Sequence, residues 1–300
     1  MPQISVIVPT QINQNSLIKD FSQLVKFRLT MMVVFSTGVG FLMATTTHFQ
    51  WISFLILLVS GFLITGAANG INQIIERDLD KLMTRTQNRP IAQGRLSVRQ
   101  AVFTVTLMSI IGVALLGTYI NALSALIGGF SLLLYAFVYT PLKRKGSISV
   151  WVGAIAGAAP PLIGYTAVTG SIDATAWLLF AIQLVWQLPH FWALAWVLND
   201  EYNKAGFYLL PFKSGRSQNS ATITFVSALG LLPLIFISYY LGITNGTISI
   251  LMLLVTLNFI YQSYQLWQTL EMSAARKLMF GSFYYLPLVQ ILLIIAHYLK

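Results

Sequence analysis

Nine stretches of the chain, at 29–47, 51–71, 102–119, 122–139, 149–169, 174–197, 221–242, 248–266 and 283–299, are long and apolar enough to cross a bilayer. Backbone in hydrocarbon has no water to bond, so each stretch must close its hydrogen bonds internally, as a helix. The sequence therefore predicts an all-α polytopic membrane protein, a bundle of about nine transmembrane helices. With 56% hydrophobic residues, 9% charged residues and a mean hydropathy of +0.74, the chain has too little polar surface to cover a soluble domain. Cysteine is absent, which excludes disulfides, thiolate metal sites and thioether attachment of a haem.

The net charge of +10 is distributed by connection. Every Lys and Arg except Lys300 falls in the N-terminal 28 residues or in the connections after the second, fourth, sixth and eighth apolar stretches. The opposite connections, around His48, Ile120, Asp173 and Asn245, carry none. The positive-inside rule then puts the N-terminus and the charged loops in the cytoplasm and the C-terminus outside. No basic stripe with interleaved aromatics points to nucleic acid. The expected layout is a polar cytoplasmic tail over 1–20 and one intramembrane domain over 21–300, in a bacterial cytoplasmic membrane.

The charged loop from Asn69 to Ser97 holds three of the eight acids, Glu76, Asp78 and Asp80, and five of the eighteen bases. If the second apolar helix runs into it, Asn72, Glu76 and Asp80 are four residues apart and share one face. Two carboxylates and an amide oxygen suit Mg²⁺, which takes oxygen ligands and is usually completed by substrate phosphates. Arg85 and Arg89 suit the phosphates themselves. The plainer alternative is a solvated, salt-bridged loop. Against it stands the cost of ionisable groups so near a span.

Asn72-x-x-x-Glu76-x-x-x-Asp80, with Met83-Thr84-Arg85-Thr86 and Arg89-Pro90 behind it, resembles the first aspartate-rich motif of the UbiA-type intramembrane prenyltransferases. Within that superfamily, Glu76-Arg77-Asp78-x-Asp80-x-x-Met83-x-Arg85-Thr86 is most similar to the protoheme IX farnesyltransferases, or heme O synthases. Tyr139-Thr140-x-Leu142-Lys143-Arg144, Ala156-Gly157-Ala158-x-Pro160-Pro161 and Pro189-His190-Phe191-x-x-Leu194-Ala195 with a trailing Asp200-x-Tyr202 resemble the same family. Lys26 and Arg28 flank the first span where the family usually has Lys-Pro-Arg; this chain has Phe27 between them.

The resemblance implies farnesyl diphosphate and protoheme as substrates, Mg²⁺ as cofactor, and heme O for haem-copper terminal oxidases as product. It implies Asn72, Glu76, Asp80 and Asp200 as the catalytic and metal-binding set, with Glu201 as a further ligand in a second acidic motif. Arg85, Arg89, Lys143, Arg144, Lys26 and Arg28 would clamp the diphosphate. His190 and Tyr202 would meet the haem acceptor, His190 standing where superfamily members acting on quinone precursors carry an aspartate. A heme A synthase or an oxidase assembly factor is the implied protein partner. The alternatives are a Mg²⁺-dependent prenyltransferase with an aromatic acceptor and, more distantly, a transporter or assembly protein. The last polar connection, 275–286, shows no chemistry of its own.

Overall fold

The structure is a computed structural model describing residues 14–46 and 48–299. Residues 1–13, most of the expected tail, and the terminal Lys300 lie outside the described residues. Among those described there are helices and no strands. An amphipathic lead-in, α1 (Gln14–Leu24), precedes nine helices long and apolar enough to span: α2 (Phe27–Ala44), α3 (Trp51–Ile75), α5 (Val98–Ile120), α6 (Ala122–Leu142), α7 (Ile148–Thr169), α8 (Ala174–Val197), α10 (Gln218–Tyr240), α11 (Gly246–Thr269) and α12 (Met272–Tyr298). Two short helices, α4 (Arg77–Asp80) and α9 (Asn199–Lys204), stand in the charged loops after α3 and α8.

Apolar length marked the spans but not the helices. α12 starts at Met272, eleven residues before the apolar stretch, with Arg276 and Lys277 exposed on its first turns. A helix leaving hydrocarbon keeps its internal hydrogen bonds, so it ends where capping ends it and not where apolarity stops. α1 likewise takes in residues 14–20, which the sequence assigned to the tail. Asp20 on it is buried and bonds Arg95, with Nε to Oδ1 at 3.0 Å. Ser97 opens α5 with a capping box closed by Gln100.

α7 is the central helix: 72% of its spanning window is buried, against 28% for α5 and α6. Its composition explains this. Gly164 packs on the backbone of Thr37, and Gly40 of α2 packs on the backbone of Pro161, so the two helices cross at glycines facing backbone on both sides. Pro160 and Pro161 are tolerated inside α7 because it is packed all round. The outer helices instead expose large apolar side chains, among them Phe103, Ile110, Leu126, Phe130 and Phe236, to the bilayer.

Two turns are wound wide, as π-helix, at Leu116–Ile120 in α5 and Leu134–Tyr139 in α6. The second lies next to Thr140 and Lys143 and carries Tyr135 and Tyr139. Such wide turns concentrate at functional sites.

The glycine crossing sets a test of packing. A Cβ at Gly164 or Gly40 meets backbone, which cannot swing aside, whereas one at Gly117 or Gly129 finds its nearest neighbours at 3.6 and 3.8 Å. Gly164→Val and Gly40→Val should therefore lower the melting temperature of the detergent-solubilised protein by several degrees, while Gly117→Ala and Gly129→Ala leave it nearly unchanged.

Candidate active site

α3 ends at Ile75, and Glu76 occupies the break before the single turn of α4. The hydrogen-bond ladder nevertheless runs through the break, Glu76 N donating to Asn72 O at 3.0 Å and Asp80 N to Glu76 O at 2.8 Å. Asn72, Glu76 and Asp80 thus stay on one side and line one cavity of about 160 Å³ beneath the loop between α4 and α5. All three are buried.

Buried carboxylates must be paired, and each finds a cation far away in the chain. Lys143 Nζ sits 2.7 Å from Glu76 Oε1 and lies over the rings of Tyr139 and Phe207, at 4.9 and 5.7 Å from their centroids. Arg89 Nη1 bonds both oxygens of Asp80, at 2.7 and 2.8 Å. Burial raises the Asp80 carboxyl above its ordinary value against the pull of Arg89. Lys26 donates to Asn72 Oδ1 at 3.3 Å, and the Asn72 amide donates to Thr140 Oγ1 at 3.3 Å. Burial first, then the charges of Arg89 and Lys143, pulls the Lys26 ammonium well below its ordinary value.

Lys26 is also, among the described residues, one of two non-glycine residues with a left-handed backbone, at φ 49° and ψ 57°. It stands in the turn between α1 and α2. Strain of this kind costs roughly 1–3 kcal/mol and persists where the surroundings hold it. Here Gln73 Nε2 does so, donating to the carbonyls of Gln23 and Leu24 at 2.9 and 2.8 Å.

Of the residues the sequence singled out, the fold brings Lys26, Asn72, Glu76, Asp80, Arg85, Arg89, Lys143 and Tyr202 to this cavity. It does not bring the rest. Arg28 and Arg144 are exposed and do not line it. Asp200 is exposed and paired with Arg216 at 3.0 Å. Glu201 bonds Lys204 Nζ at 2.6 Å and accepts from Thr84 N at 2.6 Å, so it ties the second acidic loop to the first. Its carboxyl is lowered, chiefly by the Lys204 hydrogen bond. Neither acid lines the cavity, because nearby cations and a loop amide engage both outside it. His190 lies elsewhere as well, against α12. Conversely, Tyr135 lines the cavity without having been marked by the sequence, and Tyr139 and Thr86, quoted there as motif residues without a role, line it too; the signal was that both tyrosines stand just before the Lys143 segment.

The cavity holds four cations against two carboxylates, and this excess suits a polyanion. The donor set of Glu76, Asp80 and the Asn72 oxygen is all oxygen and fits a hard divalent ion. Among the described residues, no cluster of three acids or imidazoles is present, so such an ion would need ligand oxygens from a bound phosphate. A second, apolar cavity of about 100 Å³ runs on from this one, sharing Leu29 and Tyr135 and lined by Val33, Ile64, Ala68 and Ile163.

Comparisons with known proteins bear on the family and the fold of the chain. The profile of the UbiA prenyltransferase family matches residues 33–286. A protoheme IX farnesyltransferase of Cytophaga hutchinsonii is 47% identical over 90% of this chain and 95% of its own length. That of Flavobacterium johnsoniae is 38% identical over 95% and 96%, and the human mitochondrial one is 37% identical over 91% of this chain and 61% of its own length. Among solved structures, a digeranylgeranylglyceryl phosphate synthase superposes with a TM-score of 0.79 at 18% identity, covering 94% of this chain and 99% of the other. A UbiA homologue from Archaeoglobus fulgidus, bound to GPP and Mg²⁺, does so with 0.73 at 16%, covering 93% and 98%.

The Asp80–Arg89 pair can be tested by breaking it. Arg89→Met leaves a buried carboxylate alone, which costs about 3–5 kcal/mol, so its melting temperature should fall well below that of Lys81→Met, which disturbs only an exposed pair. The deficit has a pH sign. With Arg89 gone, Asp80 is raised further, and a raised native pKa favours the folded state below the ordinary carboxylate value and is lost as pH rises through it. The gap between Arg89→Met and wild type should therefore narrow on acidification, and Asp80→Asn in the same chain should close part of it at neutral pH.

Proposed function

The chain belongs to the UbiA prenyltransferase family, and on that footing we propose that it transfers the farnesyl group of farnesyl diphosphate to a vinyl group of protoheme, making heme O. The observation that carries the reading is the buried cavity in which Asn72, Glu76 and Asp80 meet Lys26, Arg85, Arg89 and Lys143. The sequence likeness to protoheme IX farnesyltransferases over nearly the whole chain supports the choice of acceptor.

Prenyl transfer begins with the allylic carbon–oxygen bond breaking, its electron pair leaving with the diphosphate. The terminal vinyl carbon then bonds to C1 of the farnesyl chain, water oxygen adds to the inner vinyl carbon, and that water gives up a proton. Mg²⁺, held by Asn72, Glu76 and Asp80 when present, would neutralise charge on the leaving diphosphate. Arg85, Arg89, Lys143 and Lys26 supply the fixed donors for the same oxygens, pre-set before the charge develops. Lys26 lies among the other cations, and each phosphate charge that arrives favours its ammonium form. The apolar cavity beyond Leu29 and Tyr135 accepts the start of the isoprenoid chain and keeps water from it.

This reading gives no metal role to Asp200 and Glu201. Glu201 acts instead by holding Thr84, and with it the loop that carries Arg85 and Arg89. The cavity opens on the side of the basic loops, which the charge bias assigns to the cytoplasm of a bacterial inner membrane.

Two experiments test the proposal. Purified chain given labelled farnesyl diphosphate, protoheme and Mg²⁺ should yield farnesylated porphyrin by mass. Glu76→Gln or Asp80→Asn should lower that turnover by about 10² or more, and EDTA should abolish it. Full turnover in either variant would remove the assigned roles, and prenylation of an aromatic acceptor alone would change the substrate. Separately, reporter fusions after Asn88, Lys145, Gly215 and Ser273 should score cytoplasmic, and those at His48 and Asn245 external.

A further inference from the structure

A second built site lies where α8 meets α12, outside the charged cavity. The half-buried His190 ring is held on several sides. Trp186, one turn earlier on α8, stacks on it at 4.8 Å and 15°. Phe283 of α12 meets it edge-on at 5.3 Å and 65°, and Phe191 lies tilted at 5.7 Å. Trp186 is itself fixed by its indole N–H, which donates to Ser282 O at 3.1 Å. None of these partners is charged.

The protonation of the ring follows from its one hydrogen bond. His190 Nδ1 is 2.7 Å from Ser282 Oγ, and Ser282 Oγ donates its only proton to Met279 O at 2.5 Å. With that proton committed, the serine oxygen can only accept. With the serine proton on Met279 O, the hydrogen between the two groups is assigned to Nδ1, which leaves Nε2 with its lone pair. Nε2 makes no hydrogen bond among the described residues. An imidazole that donates through one nitrogen and presents the other unprotonated is how a metal-ligating histidine is set.

The surroundings select the kind of metal. A hydrated divalent ion would need carboxylates or carbonyls, whereas aromatic rings packed on the imidazole suit iron carried in a flat, apolar ring system. Phe191 connects the two sites, since it packs on His190 and also lines the charged cavity. We propose that this niche binds protoheme with His190 Nε2 on the iron, and that Ser282 is the positioning residue that fixes the tautomer. The inference rests on protoheme being the acceptor. It goes further in setting the acceptor's iron apart from the diphosphate, on the α12 side of Phe191.

The full chain in detergent, titrated with protoheme, tests it by absorbance and by the iron–histidine stretch of the ferrous form in resonance Raman. Wild type should show that stretch. His190→Ala should lose it and regain a nitrogen-ligated spectrum with added imidazole, while binding farnesyl diphosphate like wild type, which shows that it is folded. Ser282→Ala should shift the stretch and weaken protoheme binding about tenfold or more, and Ser282→Thr, which keeps the hydroxyl, should restore both. A wild-type iron spectrum and affinity in His190→Ala, or a stretch unmoved by Ser282→Ala, overturns the proposal. If wild type farnesylates protoheme while His190→Ala keeps its spectrum, only this inference falls. If wild type neither binds nor farnesylates protoheme, the acceptor assignment falls with it.

Discussion

A carboxylate taken out of water must be repaid by a counter-charge, and this one requirement organises the charged end of the bundle. Glu76 and Asp80 stand at the end of a spanning helix with almost no solvent contact. Each is held by a cation whose position depends on another part of the chain, Lys143 at the end of α6 and Arg89 in the loop before α5. The pairs therefore fix two connections relative to α3, and the loops cannot be exchanged for any polar sequence of equal length. A buried pair adds little stability over a well-packed apolar contact, while losing one partner is expensive. Such pairs are kept for what they present. Here they present four cations to a cavity just wide enough to receive part of a polyanion.

Much of this was written locally. The nine spans, their order and the side on which the charges collect follow from apolar length and from counting Lys and Arg. The shared face of Asn72, Glu76 and Asp80 follows from a spacing of four, and it survives the break at Glu76 because the backbone ladder continues through it. What could not be read was partnership across the chain. Lys143 was seen as a clamp, yet nothing in its neighbourhood says that it will lie 2.7 Å from a carboxylate sixty-seven residues earlier. Asp200 and Glu201 were read by analogy with the first motif. Their nearer neighbours Arg216, Lys204 and Thr84 engage them first, because loop residues pair with what is already close. The stretch 275–286 seemed empty of chemistry because Ser282 matters only through a ring on another helix.

The same distinction separates the two halves of the proposed reaction. The diphosphate end is made of charge, and charge is conspicuous in a membrane sequence. The acceptor end is made of aromatic rings and one hydroxyl proton committed elsewhere, features shared with ordinary packing. Only coordinates can distinguish a histidine that fills space from one whose tautomer has been set.

The wide turn at Leu134–Tyr139 works as an angular offset. Each residue in a regular helix advances the chain by about 100°, and a π turn takes in one residue more than an α turn over the same rise. The extra residue resets the phase of everything after it, so the outer surface of α6 and its last turn follow different registers. Phe130 and Leu133 can keep facing lipid while Tyr139, Thr140 and Lys143 face inward. A chain shorter by one residue here would keep its composition, its hydropathy and its nine spans. It would nevertheless carry Lys143 about a quarter-turn away from Glu76, leaving that carboxylate without its counter-ion.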